Sequence, residues 1–414
     1  MAGKKWFPAW RANSDFRIVA RLVQSRQSGS FSYGGLSGVG DTTWPFPPGI
    51  VDHQYTAYLT NARFDTFLTY NSVLDFQGVL FAWFDQLTDF SPGYTLKILQ
   101  GATALLTALF FAGLILWFFA EFGWLSALLI LASLVCSQWV TLFGGSLYWQ
   151  LWAFYLPFLG TAYWLRQAQT PSANGLAWLV AATLLIKILF NGFEYITTTL
   201  IMAFVPVVYY AVLNKWTMKL FYRHALHFSL ASLAGVFSGL TILFLQLTAV
   251  LGEPRSALAT ILYNLAKRSF GNVNEFPVEA ESLRASLFSV LQTYVTGGEP
   301  IRLGLLKTSP FESVQYSHFI FLFAVFSGMA LLLRRSKNDL LSKKILALLI
   351  TTWFSLAAPL SWLVLFKAHS YIHTQLNYII WQMPFTLFGF SLCGFVLSYG
   401  VKRFLEKITI LRVS

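Results

Sequence analysis

Residues 197–251 read TTTLIMAFVPVVYYAVLNKWTMKLFYRHALHFSLASLAGVFSGLTILFLQLTAVL. The apolar runs 197–213 and 226–251 are each long enough to cross a hydrocarbon core of about 30 Å. Between them lie Lys215, Lys219 and Arg223, with no acid. Short cytoplasmic loops of membrane proteins accumulate Lys and Arg. The stretch therefore predicts a pair of membrane helices joined on the cytoplasmic side, and that orientation can be carried to the rest of the chain.

Further apolar runs lie at 97–119, 124–142, 146–165, 175–190, 317–334, 345–366 and 376–400, which predicts about nine transmembrane helices. With 56% hydrophobic and 11% charged residues, the composition departs from the soluble averages of about 45–50% and about 25%. The fold class is all-α, a polytopic membrane protein with amphipathic external helices. Reading 174–213 as one helix would need a rod of about 60 Å at about 1.5 Å per residue. A break at Asn191-Gly192-Phe193-Glu194 is expected instead.

Charge then assigns sides. The segment with Arg334, Arg335, Lys337, Lys343 and Lys344 against Asp339, and the tail with Lys402, Arg403, Lys407 and Arg412 against Glu406, join the 215–223 loop as cytoplasmic. These three segments hold ten of the twelve net positive charges. Residues 1–96 carry seven basic and seven acidic side chains, and residues 252–316 carry six of each, so both read as translocated segments. Two regions follow: an external polar segment, 1–96, with interfacial amphipathic helices, and a transmembrane helical domain, 97–414, that includes the external loop 252–316. Alternation leaves the amino terminus outside, so a first transmembrane helix is expected ahead of residue 1. The competing reading merges 174–213 and makes residues 1–96 cytoplasmic.

The net charge of +12 is spread over short loops, whereas a nucleic-acid partner would need a basic face on a folded soluble domain. Cys136 and Cys393 both lie inside apolar runs, which fits packing rather than a disulfide framework or a metal site. The opening MAGKKWFPAWRANSDF has no apolar core of a signal peptide. The chain lacks an Asn-x-Ser/Thr sequon, which favours a bacterial source and hence the cytoplasmic (inner) membrane.

On the outer face this topology gathers the chemically unusual residues. DFRIVARLVQSRQ, from Asp15, has Phe16, Ile18, Val19, Leu22 and Val23 at a spacing that suits an interfacial amphipathic helix. A glycine-rich loop follows, then amphipathic helices within 52–88, with Asp75-Phe76-Gln77-Gly78 as a turn or a helix interior. Asp15 is either a helix cap after Asn13 and Ser14 or a catalytic base. Glu194 sits in the FNGFEY turn, where an ionisable group near membrane depth points to function. It binds substrate or pairs with Lys187, seven residues earlier. His369 and His373 at i and i+4 share one side of a helical turn. They lack the HExxH glutamate or a third ligand of a zinc site, so no metal is expected. Contact of a histidine or Lys367 with a phosphate competes there with ordinary interfacial hydrogen bonding.

The arrangement of Asp15 in NSDFRIVARL, the amphipathic helices of 52–88 and the polytopic remainder resembles the GT-C superfamily of integral-membrane glycosyltransferases. In that superfamily a first span leads into a long external loop with an acidic residue near its start. The resemblance implies inverting transfer of a sugar from a polyprenyl-phosphate donor to a glycan, lipid or protein acceptor on the outer face, without a cofactor. Asp15 would be the general base. Arg17, Arg21, Lys367 or a histidine would stabilise the leaving phosphate, with Glu194 among the substrate-binding residues and the lipid tail among the helices. The loop has no DxD pair, and Ser14-Asp15-Phe16 stands where an acidic doublet is typical, which points away from a metal-dependent member. Other readings are a flippase or transporter for a lipid-linked glycan, a cell-envelope polysaccharide polymerase or ligase, and a non-catalytic scaffold.

Overall fold

The computed structural model describes residues 14–43, 45–167, 170–270, 286–298, 300–301, 314–334 and 339–413. Residues 1–13, positions 271–285, 299 and 302–313 of the long loop, Arg335 and Lys337 lie outside the described residues, as do the side chains of Arg403, Glu406, Lys407 and Arg412. Helices dominate. Among the described residues, seven helices are long and apolar enough to cross a membrane: Pro92–Phe122, Ala173–Asn191, Ile196–Leu213, Met218–Leu251, Tyr316–Arg334, Leu340–Leu365 and Tyr378–Lys402.

The other two runs expected to span form shorter helices. The run 124–142 is divided: Trp124–Val135 has 12 residues, about 18 Å at about 1.5 Å per residue. A new helix, Gln138–Phe143, begins where the Ser137 hydroxyl accepts a hydrogen bond from the Val140 amide. The run 146–165 loses its first turn to the segment Ser146–Gln150, leaving Leu151–Arg166, about 24 Å long. That helix packs against both Ala173–Asn191 and Ile196–Leu213.

The expected break at 191–194 is present. Gly192 (φ 55°) and Tyr195 (φ 49°) take left-handed backbone conformations, which ends one helix at Asn191 and lets the next start at Ile196. Lys187 ties the turn together, its ammonium donating to the carbonyls of Gly192 (2.9 Å) and Glu194 (2.5 Å). This is a backbone clasp, not the side-chain ion pair that the seven-residue spacing suggested.

Aromatic side chains fill the bundle. Trp117 packs edge-on against Phe118, Phe158, Tyr209 and Phe388, with ring centroids 4.8–6.1 Å apart. Toward one end, the buried Glu121 carboxylate accepts from the hydroxyls of Tyr209 and Tyr210, at 2.9 Å each, and pairs with Arg166 at 3.1 Å. Lys344 reaches the Glu121 carbonyl there at 3.1 Å.

The segments expected on the outer face meet at the opposite end. The helix Asp15–Ser28 is not laid free on an interface: Ile18, Val19, Leu22 and Val23 are at most 2% exposed. It is enclosed by Ile50–Leu59, Phe76–Leu87 and the strand Gly38–Gly40. That strand pairs antiparallel with Phe67–Thr69. Its glycines have a steric reason, since a Cβ on Gly40 would stand 2.2 Å from the Phe64 ring. Asp75 stands at the N-cap position of the helix Phe76–Leu87 with φ 53° and makes no side-chain capping bond. Gln246, near the end of its membrane helix, donates to the carbonyls of Gly34 and Leu74, and Asn264 to that of Asn71, which fastens the cap to the bundle.

Candidate functional site

A cavity of about 490 Å³ opens at this junction. The first turn of Asp15–Ser28 contributes Arg17, the segment after the second strand contributes Tyr70, Asn71 and Ser72, and the helix Pro254–Phe270 contributes Tyr263, Asn264, Lys267 and Arg268. His369 and His373 complete the wall from the short helix Lys367–Ile372 and its end.

Arg17 is held by aromatic faces. Its guanidinium carbon lies 3.9 Å from the Tyr70 ring centroid and 5.8 Å from that of Tyr148, a placement that attracts a cation to a ring's negative face. Burial opposes its charge, but Tyr70, Tyr148 and Asp75 outweigh the penalty and hold Arg17 above its ordinary range. Its Nε is buried without a hydrogen-bond partner.

Arg268 forms an ion pair with Oε1 of Glu194, whose side chain is 4% exposed. Burial again opposes the guanidinium charge, and Glu194 raises Arg268 above its usual value. The other carboxylate oxygen, Oε2, is buried without a hydrogen-bond partner and lies 3.9 Å from Nε2 of His369.

The i, i+4 spacing of the histidines is realised, with ring centroids 4.7 Å apart. Burial, then His373, Arg268 and Lys267, hold His369 well below the ordinary imidazole value. His373 is pushed down to about 4 by burial and by Arg17, Arg268 and Lys267. Both rings are therefore neutral near pH 7, and the cavity's positive charge comes from Arg17, Lys267 and Arg268, offset by Glu194. Such a site suits an anionic group that accepts several hydrogen bonds.

The structure thus brings Arg17, Glu194, His369 and His373 together and leaves other expected site residues apart. Arg21 is fully buried and does not line the cavity. Its guanidinium donates to the carbonyls of Ser30, Ser32 and Leu36, which pins the 30–36 turn to the helix. Lys367 is half-buried at the start of its helix and also lies off the wall. Asp15, 5% exposed, is beside the site but not on its wall: its Oδ1 accepts from the Ser146 hydroxyl (2.5 Å) and the Tyr148 amide (3.1 Å).

Sequence reading misses Lys267, Arg268, Tyr70 and Tyr148, and gives Asp75 only as part of a turn or a helix interior. The Lys-Arg doublet at 267–268 carried a signal, being a pair of adjacent cations in a loop whose other charges are scattered. Asp75 carried none. It is fully buried, accepts from the Ser37 amide at 3.2 Å, and is pushed up to about 6 by burial, an effect limited by Ser37, Arg17 and Arg21. Among the described residues, no group of three or more His, Cys, Asp or Glu side chains could hold a metal ion. Comparison with protein-family models, with curated proteins and with solved structures finds no match for this chain.

Proposed function

We propose that this integral membrane protein transfers a sugar from a polyprenyl-phosphate donor to an acceptor at the polar end of its helical bundle, on the outer face of the inner membrane. One observation carries the reading: a cavity of about 490 Å³, walled by Arg17, Lys267 and Arg268, opens where the membrane helices meet the polar cap. A lipid phosphate is an anion delivered at that depth. Cations fixed around it would stabilise the charge that develops as the bond from sugar to phosphate breaks. Asp15 is the acid that the GT-C resemblance supplies as base, and it lies at the edge of this site. A glycan, a lipid or a protein could present the acceptor hydroxyl.

The aromatic packing around Trp117 supports chemistry at one end rather than a polar path through the bundle. A flippase would need such a path, or a broken helix at the membrane midplane. The test is reconstitution in liposomes with labelled glucosyl- and mannosyl-undecaprenyl monophosphate and an extracted envelope fraction as acceptor. Sugar transfer that falls at least about tenfold in Arg17→Ala, as the loss of a charge-assisted hydrogen bond predicts, supports the proposal. Movement of the lipid across the bilayer without sugar transfer would favour the flippase, and neither activity would favour a scaffold.

A further inference from the structure

We infer that the helix Phe76–Leu87 lies in the membrane surface at the polar end of the bundle, with Phe31, Trp83, Leu87, Phe90 and Tyr94 set among the phospholipids. Both ends of this helix stand at the ends of membrane helices. The Phe76 ring meets the Phe190 ring edge-on, with centroids 5.7 Å apart, one residue before Ala173–Asn191 stops. At the other end, Thr88 to Ser91 lead directly from Leu87 into Pro92–Phe122. A helix of 12 residues, about 18 Å long, is thus held at both ends at the depth where two membrane helices emerge. Its axis therefore runs along the membrane surface and not through it.

The two sides of this helix differ in what covers them. Val79, Ala82 and Asp85 are buried toward the rest of the cap, where Arg26 holds the Asp85 carboxylate in a bidentate pair at 2.7 and 2.8 Å. Trp83 and Leu87, at i and i+4 and so on one side, are exposed, Leu87 by 85%. Phe31, 62% exposed, lies edge-on to Trp83 with ring centroids 5.6 Å apart. The aromatic contacts continue from Phe84 to Phe90 at 6.3 Å and from Phe90 to Tyr94 at 5.3 Å.

Tyr94 joins this patch to the surface that faces lipid. It is exposed in the first turn of Pro92–Phe122, and Leu105, Leu109 and Leu116 follow it close to whole turns of about 3.6 residues, all exposed as well. In a helix that crosses a membrane such a row meets acyl chains. Trp and Tyr collect at the boundary between membrane and water because their rings are apolar and their N–H or O–H is polar. An amphipathic helix in that layer sinks its apolar side about 5–10 Å into the boundary of headgroups and acyl chains. Lys97, exposed one turn beyond Tyr94, suits the same depth, since its stem can follow apolar surface while its ammonium reaches water. None of the five patch residues is charged, so the contact is apolar and zwitterionic lipid suffices for it.

The experiment uses the full chain in phosphatidylcholine liposomes, with Cys136→Ala and Cys393→Ala and a nitroxide attached through Leu87→Cys or Phe31→Cys. Leu105→Cys in the membrane helix and Asp52→Cys on the exposed cap serve as references. Collision with oxygen, which concentrates among acyl chains, is expected to exceed collision with a water-soluble nickel chelate at Leu87→Cys and Phe31→Cys, in a ratio nearer to that of Leu105→Cys than to that of Asp52→Cys. A ratio like that of Asp52→Cys overturns the inference in favour of an aqueous face. Exclusion of both reagents overturns it in favour of a second copy of the chain covering the patch. The unmodified chain gives a reading that needs no substitution: a phosphatidylcholine with a photoreactive group near its glycerol is expected to mark the stretch 83–94. Absence of adducts there overturns the inference.

Discussion

Arg268 and Glu194, 74 positions apart in the chain, form a buried ion pair beside the cationic cavity, whose wall Arg268 lines. The pair joins the helix after the fourth of the long membrane helices to the turn between the second and third. It fastens a loop helix to the bundle while leaving the other oxygen of the same carboxylate directed at His369.

Breaking this pair from one side should be costly. Glu194→Ala leaves a guanidinium with little exposure and no counter-charge, an event worth about 3–5 kcal/mol at buried sites. Arg268→Ala strands the carboxylate in the same way. Thermal unfolding in detergent should show a clear loss for each single variant. In the double variant the losses should be smaller than additive, since neither charge is then left alone.

Tyr70 should act on Arg17 through its ring. Tyr70→Phe keeps a π face at the observed 3.9 Å separation, whereas Tyr70→Ala removes a cation–π contact worth about 0.5–2 kcal/mol. Binding of undecaprenyl phosphate, measured by titration, should weaken more in Tyr70→Ala than in Tyr70→Phe. Equal weakening would move the effect to the phenol hydroxyl.

Acid should destabilise the cap through its histidines. His373 lies at about 4 in the folded protein against about 6.5 unfolded, so between these values the unfolded chain binds more protons. Stability then rises with pH across the window and is lost as pH falls from about 6.5 toward 4. His373→Asn should flatten this part of a melting-temperature profile against pH. Asp75, raised to about 6, works in the opposite sense, since its protonated form is favoured by folding and its contribution is lost as pH rises through 6.

Asp15 distinguishes an anchor from a base. Asp15→Ala leaves the Ser146 hydroxyl and the Tyr148 amide without their buried acceptor, which costs about 1–3 kcal/mol per unsatisfied group. Asp15→Asn keeps an acceptor oxygen and should melt closer to the unmodified protein. Sugar transfer by Asp15→Asn should fall by about 10²–10⁴-fold, the range of general-base catalysis. Unchanged transfer would leave Asp15 an anchor only.

The membrane class, the long apolar helices and the break at Asn191–Glu194 were legible in the sequence because each depends on local properties: hydropathy over about 20 residues and a glycine beside polar neighbours. The meeting of the polar segments at one end of the bundle was legible from charge. Helix lengths were less so. Where the run 124–142 divides is set by the Ser137 cap, and where 146–165 starts its helix is set by the contacts of Ser146 and Tyr148 with Asp15, 131 and 133 positions away.

Arg17 and Arg21 show where the sequence stops. They stand one helical turn apart and are chemically identical, so spacing assigns them one role. In the folded chain Arg17 faces Tyr70 and the cavity, while Arg21 is used up by the carbonyls of the 30–36 turn. The i, i+4 relation of His369 and His373 was likewise readable, but their proximity to Glu194 and Arg268 was not. By itself the sequence determined which segments are apolar, which are charged and where helices break, because hydration and backbone preference act residue by residue. Only the tertiary structure decided which charges share a cavity and which are neutralised, because Coulomb and hydrogen-bond partners are chosen by distance in space.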